Sequence, residues 1–365
     1  MSIFNFTVDD LTLPISQELI TGIDPRSDIS PGSTYFLLKD VRNSARANER
    51  KALIDEESVS SVISEWLPIL EQVPMALIEH CKDLEFTAWY IEALCRQHGF
   101  KGLTFGFQLA TKLIETYWDD LFPIPEDGDL SERIAPLVGL NGIAGEGALI
   151  APIKAIYITD GVEPYSTWRY EQACEVDRLD SDKQQKKFSA GVISLAEVQK
   201  SIKETTKSFY LEIHQDIEST MQAFSALSAA MDSAMLGDPQ PTSYIRKCLE
   251  SCSIAVKHIA KDILAEDKFI AVEESAPVKN EADNANSSDV CVLNKQIKTR
   301  DQALKTLDDI AKFFRKTEPH SPMSYAIEQV VRWSELSLPE LLQELIVDGD
   351  ARNGFFKLSG IKAED

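Results

Sequence analysis

Four cations near the N-terminus recur at a spacing that could grip an anion. Within "TGIDPRSDISPGSTYFLLKDVRNSARANERK", residues 21–51, Arg42, Arg46 and Arg50 stand four apart, with Lys39 three before the first. At about 100° per residue these four share one helix face. A row of guanidinium forks suits phosphate, nucleic acid, or carboxylates of a partner or of the chain itself. The other polar groups offer less. Five histidines (His80, His98, His214, His258 and His320) are scattered, without HExxH or a paired metal spacing. His80 and Cys81 are neighbours in sequence, so on a helix they point in different directions. The glycine-rich "GIAGEGAL", residues 142–149, lacks the Lys-Ser/Thr of a phosphate-binding loop. Glu126 to Asp129, "EDGD", gathers carboxylates without the calcium-loop spacing. His320, between Pro319 and Ser321, stands where a residue caps or packs ahead of a helix. These residues assign no catalytic group, no cofactor and no metal. The surviving catalytic alternative is an unrecognised site near Gly142 to Gly147.

Composition narrows what the arginine row can bind. The chain has 365 residues, a net charge of −22 and a pI near 4.7. Its mean field repels phosphates, which disfavours general nucleic-acid binding and anionic membranes. The opening "MSIFNFTVDD" has neither the basic region nor the apolar run of a secretory signal. The longest apolar stretch, "GALIAPIKAIYI", is short and contains Lys154, so no segment is expected to span a bilayer. Six cysteines without CxxC spacing read as reduced thiols. The expectation is a soluble cytoplasmic protein.

The elements that would position the row read as all-α. "DLEFTAWYIEALCRQHG" sets Phe86, Trp89, Tyr90, Ala93 and Leu94 on one helix face, and Gly99 stands at a helix end. Leu109, Leu113 and Tyr117 form the next face, which Pro123 and Pro125 close. The stretch after Gly142 reads as a loop, and a first domain closes near residue 165. Residues 167–191 are charged and weakly patterned. A capping box at Ser194 and Glu197 opens one long predicted helix to Gly237. "SYIRKCLESCSIAVKHIAKDIL" can fold back on it as a helical hairpin, giving a middle domain over 166–265. Residues 266–295 are acidic and poor in large apolar groups, and read as a flexible linker. Residues 296–365 carry three short helices, with Ser321-Pro322 and the Ser337–Glu340 box as helix starts. So small a core gains stability by self-association.

Two readings of the arginine row stay open. Tyr35, Leu38, Val41 and Ala45 supply apolar contacts beside it, and Ser30-Pro31 is expected to cap its start. In one reading the forks hold Asp24, Asp28 or later carboxylates and brace the 24–26 segment, Asp24-Pro25-Arg26, against the helix. In the other they form a cationic face for an acidic partner.

The run "GIDPRSDISPGSTYFLLKDVRNSARANERK" resembles the opening of the ImpA-type N-terminal domain, which marks the TssA family of bacterial type VI secretion systems. The resemblance continues through "WYIEALCRQHGFKGLTFGFQLATKLIETYWDDLFP" and "RIAPLVGLNGIAGEGALIAPIKAIYITDG". Near the C-terminus, "EPHSP", Glu318, Pro319, His320, Ser321 and Pro322, with Trp333 beyond it, resembles one TssA branch. The resemblance implies a cytoplasmic, non-enzymatic assembly protein of a Gram-negative bacterium. Its partners would be baseplate, sheath, inner-tube and membrane-complex proteins, with a C-terminal homo-oligomeric ring and N-terminal domains projecting outward. A helical adaptor of another pathway is the alternative within the same fold.

Overall fold

The computed structural model describes residues 5–54, 59–125, 128–265, 300–317, 322–334, 336 and 338–345. Among them the chain is helical, with isolated bridges and no sheet. Two compact units divide it, Met1–Pro277 and Val278–Asp365.

The larger unit is built on α4 (Leu84–Tyr117), which Gly99 splits with φ 56° and ψ −134°. Only glycine takes such a conformation without strain. The legs on either side of Gly99 lie against each other. A Cβ on Gly102 would stand 2.2 Å from the Leu94 carbonyl oxygen, and one on Gly106 would stand 2.6 Å from Ile91 Cγ1. The Tyr90 and Phe105 rings meet edge to face at 6.3 Å. The glycine expected to end a helix therefore does so, and two later glycines let the legs approach closely.

Four elements surround these legs at their N-terminal end. They are α1 (Val8–Leu11), α2 (Thr34–Ile54), a 3₁₀ segment (Val59–Trp66) and α3 (Leu67–Glu79). The start of α2 differs from the expectation at Ser30-Pro31. Those residues make a turn in which the Ser33 amide donates to the Ser30 carbonyl at 3.0 Å. Ser33 takes the capping position instead, its hydroxyl facing the Phe36 amide at 3.5 Å. After α4 come α5 (Leu130–Asn141) and the short α6 (Ile150–Ala155), joined by the glycine-rich loop.

Residues 167–191, read as weakly patterned, hold α7 (Thr167–Asp177) and α8 (Ser181–Ser189). Their signal is capping rather than periodicity: Ser166 and Asp180 accept from the Arg169 and Lys183 amides. The single helix expected from Ser194 to Gly237 is two, α9 (Leu195–Glu204) and α10 (Lys207–Ala234). Thr205 is extended, and its hydroxyl donates to the Ser201 carbonyl while accepting the Asp160 amide. Thr206 then caps α10. Threonine hydroxyls offer the backbone these alternative partners, and here they outweigh helical continuity. The capping box at Ser194 and Glu197 forms.

The hydrophobic core runs across residue 165. Helix α10 packs on α4, with Phe107 and Phe224 rings 5.1 Å apart. The Thr220 hydroxyl lies 2.9 Å from Thr104 Oγ1 and donates to the Phe100 carbonyl at 2.9 Å. Helix α11 (Ser243–Ile259) folds back on α10 and joins the same core through Ile245, Leu249 and Val256. The expected hairpin is present, and its buried face is shared with α4 rather than kept to itself.

In the smaller unit, α12 (Arg300–Thr317) packs on α13 (Met323–Trp333), followed by α14 (Leu338–Leu345). Arg315 pairs with Glu328, and Arg332 with Glu344, each at 2.7 Å. Phe313, Tyr325, Val330 and Leu345 stay exposed.

Phe224→Ala tests the shared core. It should cost about 3–5 kcal/mol in urea unfolding and lower a single transition covering residues on both sides of 165. Two separate transitions, only one of them shifted, would contradict a common core.

Candidate functional site

The polar chemistry of the larger unit concentrates where α2 and the 24–26 segment meet the first leg of α4. Asp83 caps α4, accepting the Phe86 amide at 2.8 Å, and has no exposed side-chain surface. A buried carboxylate requires a cation and full hydrogen bonding. Arg26 supplies both. Its Nη1 and Nη2 each donate to Asp83 Oδ2 at 2.8 Å. Nη1 also donates to Asp24 Oδ1 at 2.8 Å, and Nη2 to Glu85 Oε2 at 3.1 Å. The Tyr35 hydroxyl donates to the same Glu85 oxygen at 3.0 Å, and the Arg26 guanidinium lies 5.1 Å from the Tyr35 ring centre. Burial raises the Asp83 carboxyl to about 6, against the opposing pull of Arg26. Burial, and then the Glu85 charge, push the Tyr35 phenol up to about 12.

A second clasp lies two turns along α4. Glu92 is fully buried. Its Oε1 accepts from Arg42 Nε at 2.8 Å and meets Arg42 Nη2 at 2.6 Å. Its Oε2 has no hydrogen bond but faces Arg46 Nε at 3.8 Å and Arg96 Nη1 at 3.9 Å. Arg96 also grips Glu49 of α2, donating from Nη2 to Oε2 at 2.8 Å and from Nε to Oε1. The Trp66 indole donates to Glu49 Oε1 at 2.9 Å, and the Arg96 guanidinium stacks 3.9 Å from a Trp66 ring centre. Burial draws the Arg46 guanidinium down, with Glu92 opposing.

The arginine row therefore divides. Arg42 and Arg46 turn inward to Glu92, while Arg50 is exposed and has no ion pair among the described residues. Lys39 lies over Tyr35, 5.3 Å from its ring centre. Asp24 and Arg26 join in one clasp, with Pro25 between them. Ser30 and Pro31 form the turn before α2. In the smaller unit, Glu318, Pro319, His320 and Ser321 fall outside the described residues, as does the Ser337 capping position. Pro322 precedes α13, and the Trp333 indole donates to Glu344 Oε2 at 2.7 Å.

The partners Asp83, Glu85, Glu92, Glu49 and Arg96 were not singled out by sequence. A signal existed for Glu92: it is the one charged residue between Phe86 and Cys95, and a carboxylate in so apolar a run is buried only with a cation. The catalytic alternatives find little support. The Cys81 thiol is buried, and burial raises its pKa, while His80 is exposed. At the glycine-rich loop, Gly142 takes φ 86°, and a Cβ on Gly147 would stand 2.3 Å from the Leu140 carbonyl oxygen. The loop folds on its own backbone, and Asn141 ties it to α11 by accepting the Ile245 amide at 2.9 Å. The crevice beside it holds about 10 Å³, room for one water at most. Among the described residues no three His, Cys, Asp or Glu side chains group as metal ligands. No helix among them is long and apolar enough to cross a membrane.

Fold and clasps together define an all-helical module whose N-terminal segment is pinned by buried ion pairs. Residues 12–142 match the family described as "ImpA, N-terminal, type VI secretion system". Over that segment the chain is similar to the ImpA N-terminal domain of type VI secretion systems. A solved structure supports the fold: the N-terminal domain, including the conserved ImpA_N region, of the TssA component of the type VI secretion system from Burkholderia cenocepacia. It is 22% identical, with a TM-score of 0.57, over 70% of this chain and 94% of that one. No curated protein matches the chain.

Two substitutions test the clasps. Arg42→Glu with Arg46→Glu sets new carboxylates beside buried Glu92 and should cost about 3–5 kcal/mol in urea unfolding. Arg50→Glu should stay within about 0.5 kcal/mol. Equal effects would contradict the division of the row. Arg26→Met removes the cation opposing burial at Asp83, so the folded-state pKa should rise above about 6. A carboxyl raised in the fold holds a proton that the unfolded chain releases. Its contribution to stability therefore falls as pH rises through that interval. The variant should lie closer to wild type at pH 5 than at pH 8 in parallel urea melts, and a deficit independent of pH would contradict the assignment.

Proposed function

We propose that the chain is a non-catalytic, multimeric scaffold of a type VI secretion system, acting at the baseplate and in assembly of the sheath and inner tube. The match of residues 12–142 to the ImpA N-terminal family carries this reading. The strongest charge constellations of the larger unit are consumed in internal clasps, which suits a rigid module that presents a surface rather than a reacting group. The smaller unit has short helices with large apolar side chains exposed, as a self-associating element would. Residues 296–365 form the ring contacts in this proposal, and residues 266–295 act as the acidic linker. A ring multiplies weak contacts with a symmetric tail, and a linker lets its outer modules adjust to a different symmetry. The protein would work in the cytoplasm of a Gram-negative cell, without nucleic acid or direct membrane insertion.

Two experiments bear on the proposal. In cells lacking the chain, a fluorescent sheath protein should fail to form extended filaments, and normal filaments would overturn the secretion role. Deleting residues 296–365 should reduce the mass in light scattering from a large oligomer to a monomer or dimer. An unchanged mass would overturn the assignment of the ring contacts.

A further inference from the structure

A groove of about 350 Å³ opens beside the first clasp, between residues 15–28, the start of α2 and the C-terminal end of α3. Its wall is held by backbone bonds. The Ile15 amide donates to the Ile20 carbonyl at 2.9 Å, the Ile23 amide to the His80 carbonyl at 3.1 Å, and the Lys82 amide to the Thr21 carbonyl at 2.8 Å. Gly22, at φ 80°, permits this approach, since a Cβ there would stand 1.9 Å from the His80 carbonyl oxygen. The groove is thus preformed, which lowers the ordering cost of filling it.

Its lining combines apolar and acidic side chains with serine, threonine and His80. Leu19 and Ile23 line it while 52% and 63% exposed, above a floor that includes buried Phe86. Neighbouring Ile20 and Ile29 are also exposed. Exposed aliphatic groups clustered at a concavity mark an interaction surface, whereas scattered ones do not. Asp24, Asp28 and Glu79 line the groove, and no Lys or Arg does. Arg26, the cation of this segment, is turned inward to Asp83. Asp28 and Glu79 are exposed, with no ion pair among the described residues.

We propose that this groove docks a basic amphipathic segment of a partner protein, its apolar side chains against Leu19 and Ile23 and its Lys or Arg side chains toward Asp28 and Glu79. The charge of the lining selects this occupant, because an acidic peptide or a phosphate surface would meet carboxylates on entry. The inference rests on the groove's chemistry and not on the secretion role, so either can fail alone.

A random peptide library displayed on phage and panned on the full-length protein tests it. Enriched peptides should combine aliphatic or aromatic residues with Lys or Arg. A synthetic copy, followed by fluorescence anisotropy, should bind about tenfold more weakly to Asp28→Lys with Glu79→Lys. The charge-matched control Glu175→Lys with Asp182→Lys, on α7 and α8, should leave binding unchanged. Melting curves check folding, and Ile23→Ser, at an exposed position, should weaken binding independently. No enrichment, acidic or uncharged winners, or equal loss in the control would overturn the proposal. A change of oligomeric mass in the groove variant would also overturn it, in favour of a second copy of the chain as occupant.

Discussion

Asp83, which caps α4, and Glu92 within it are removed from water, and Arg26, Arg42 and Arg46 of the N-terminal segment supply their cations. Desolvating such a group costs several kcal/mol, which only close cations and hydrogen bonds offset. Arg26 reaches Asp83 from an irregular segment, while Arg42 and Arg46 reach Glu92 from α2. Neither element could shift by a residue without leaving a buried charge alone. Such pairs add little net stability compared with apolar replacements. Their effect is registry, fixing where the 24–26 segment and α2 sit on α4.

The same constraint links the clasps to the surface. With Arg26 committed to Asp83 and Asp24, the outer side of its segment keeps Asp28 and exposed aliphatic groups. An internal brace and a docking face are therefore consecutive layers of one segment. Arg50, outside both clasps, is the member of the row left facing solvent.

Much of this was legible in the sequence, and the losses have physical causes. Helical periodicity located α4, and Gly99 marked its break because its positive φ excludes other residues at low cost. The arginine spacing placed Arg42 and Arg46 on one face, but a spacing on one helix cannot say which carboxylate on another will meet it. Short capped helices such as α7 and α8 escaped because Ser166 and Asp180 define them and apolar periodicity does not. The Thr205-Thr206 break escaped because the Asp160 amide that holds Thr205 lies forty-five residues away. The core crossing residue 165 escaped for the same reason: Thr104 with Thr220, and Phe107 with Phe224, are tertiary choices.

Buried ion pairs set the register of the N-terminal segment on α4. A double-mutant cycle between Arg42 and Glu92, with methionine at each position, measures this most directly. The coupling free energy should be about 2 kcal/mol, with the double variant more stable than Arg42→Met alone because no unpaired carboxylate stays buried. Additive effects, with no coupling beyond error, would contradict it.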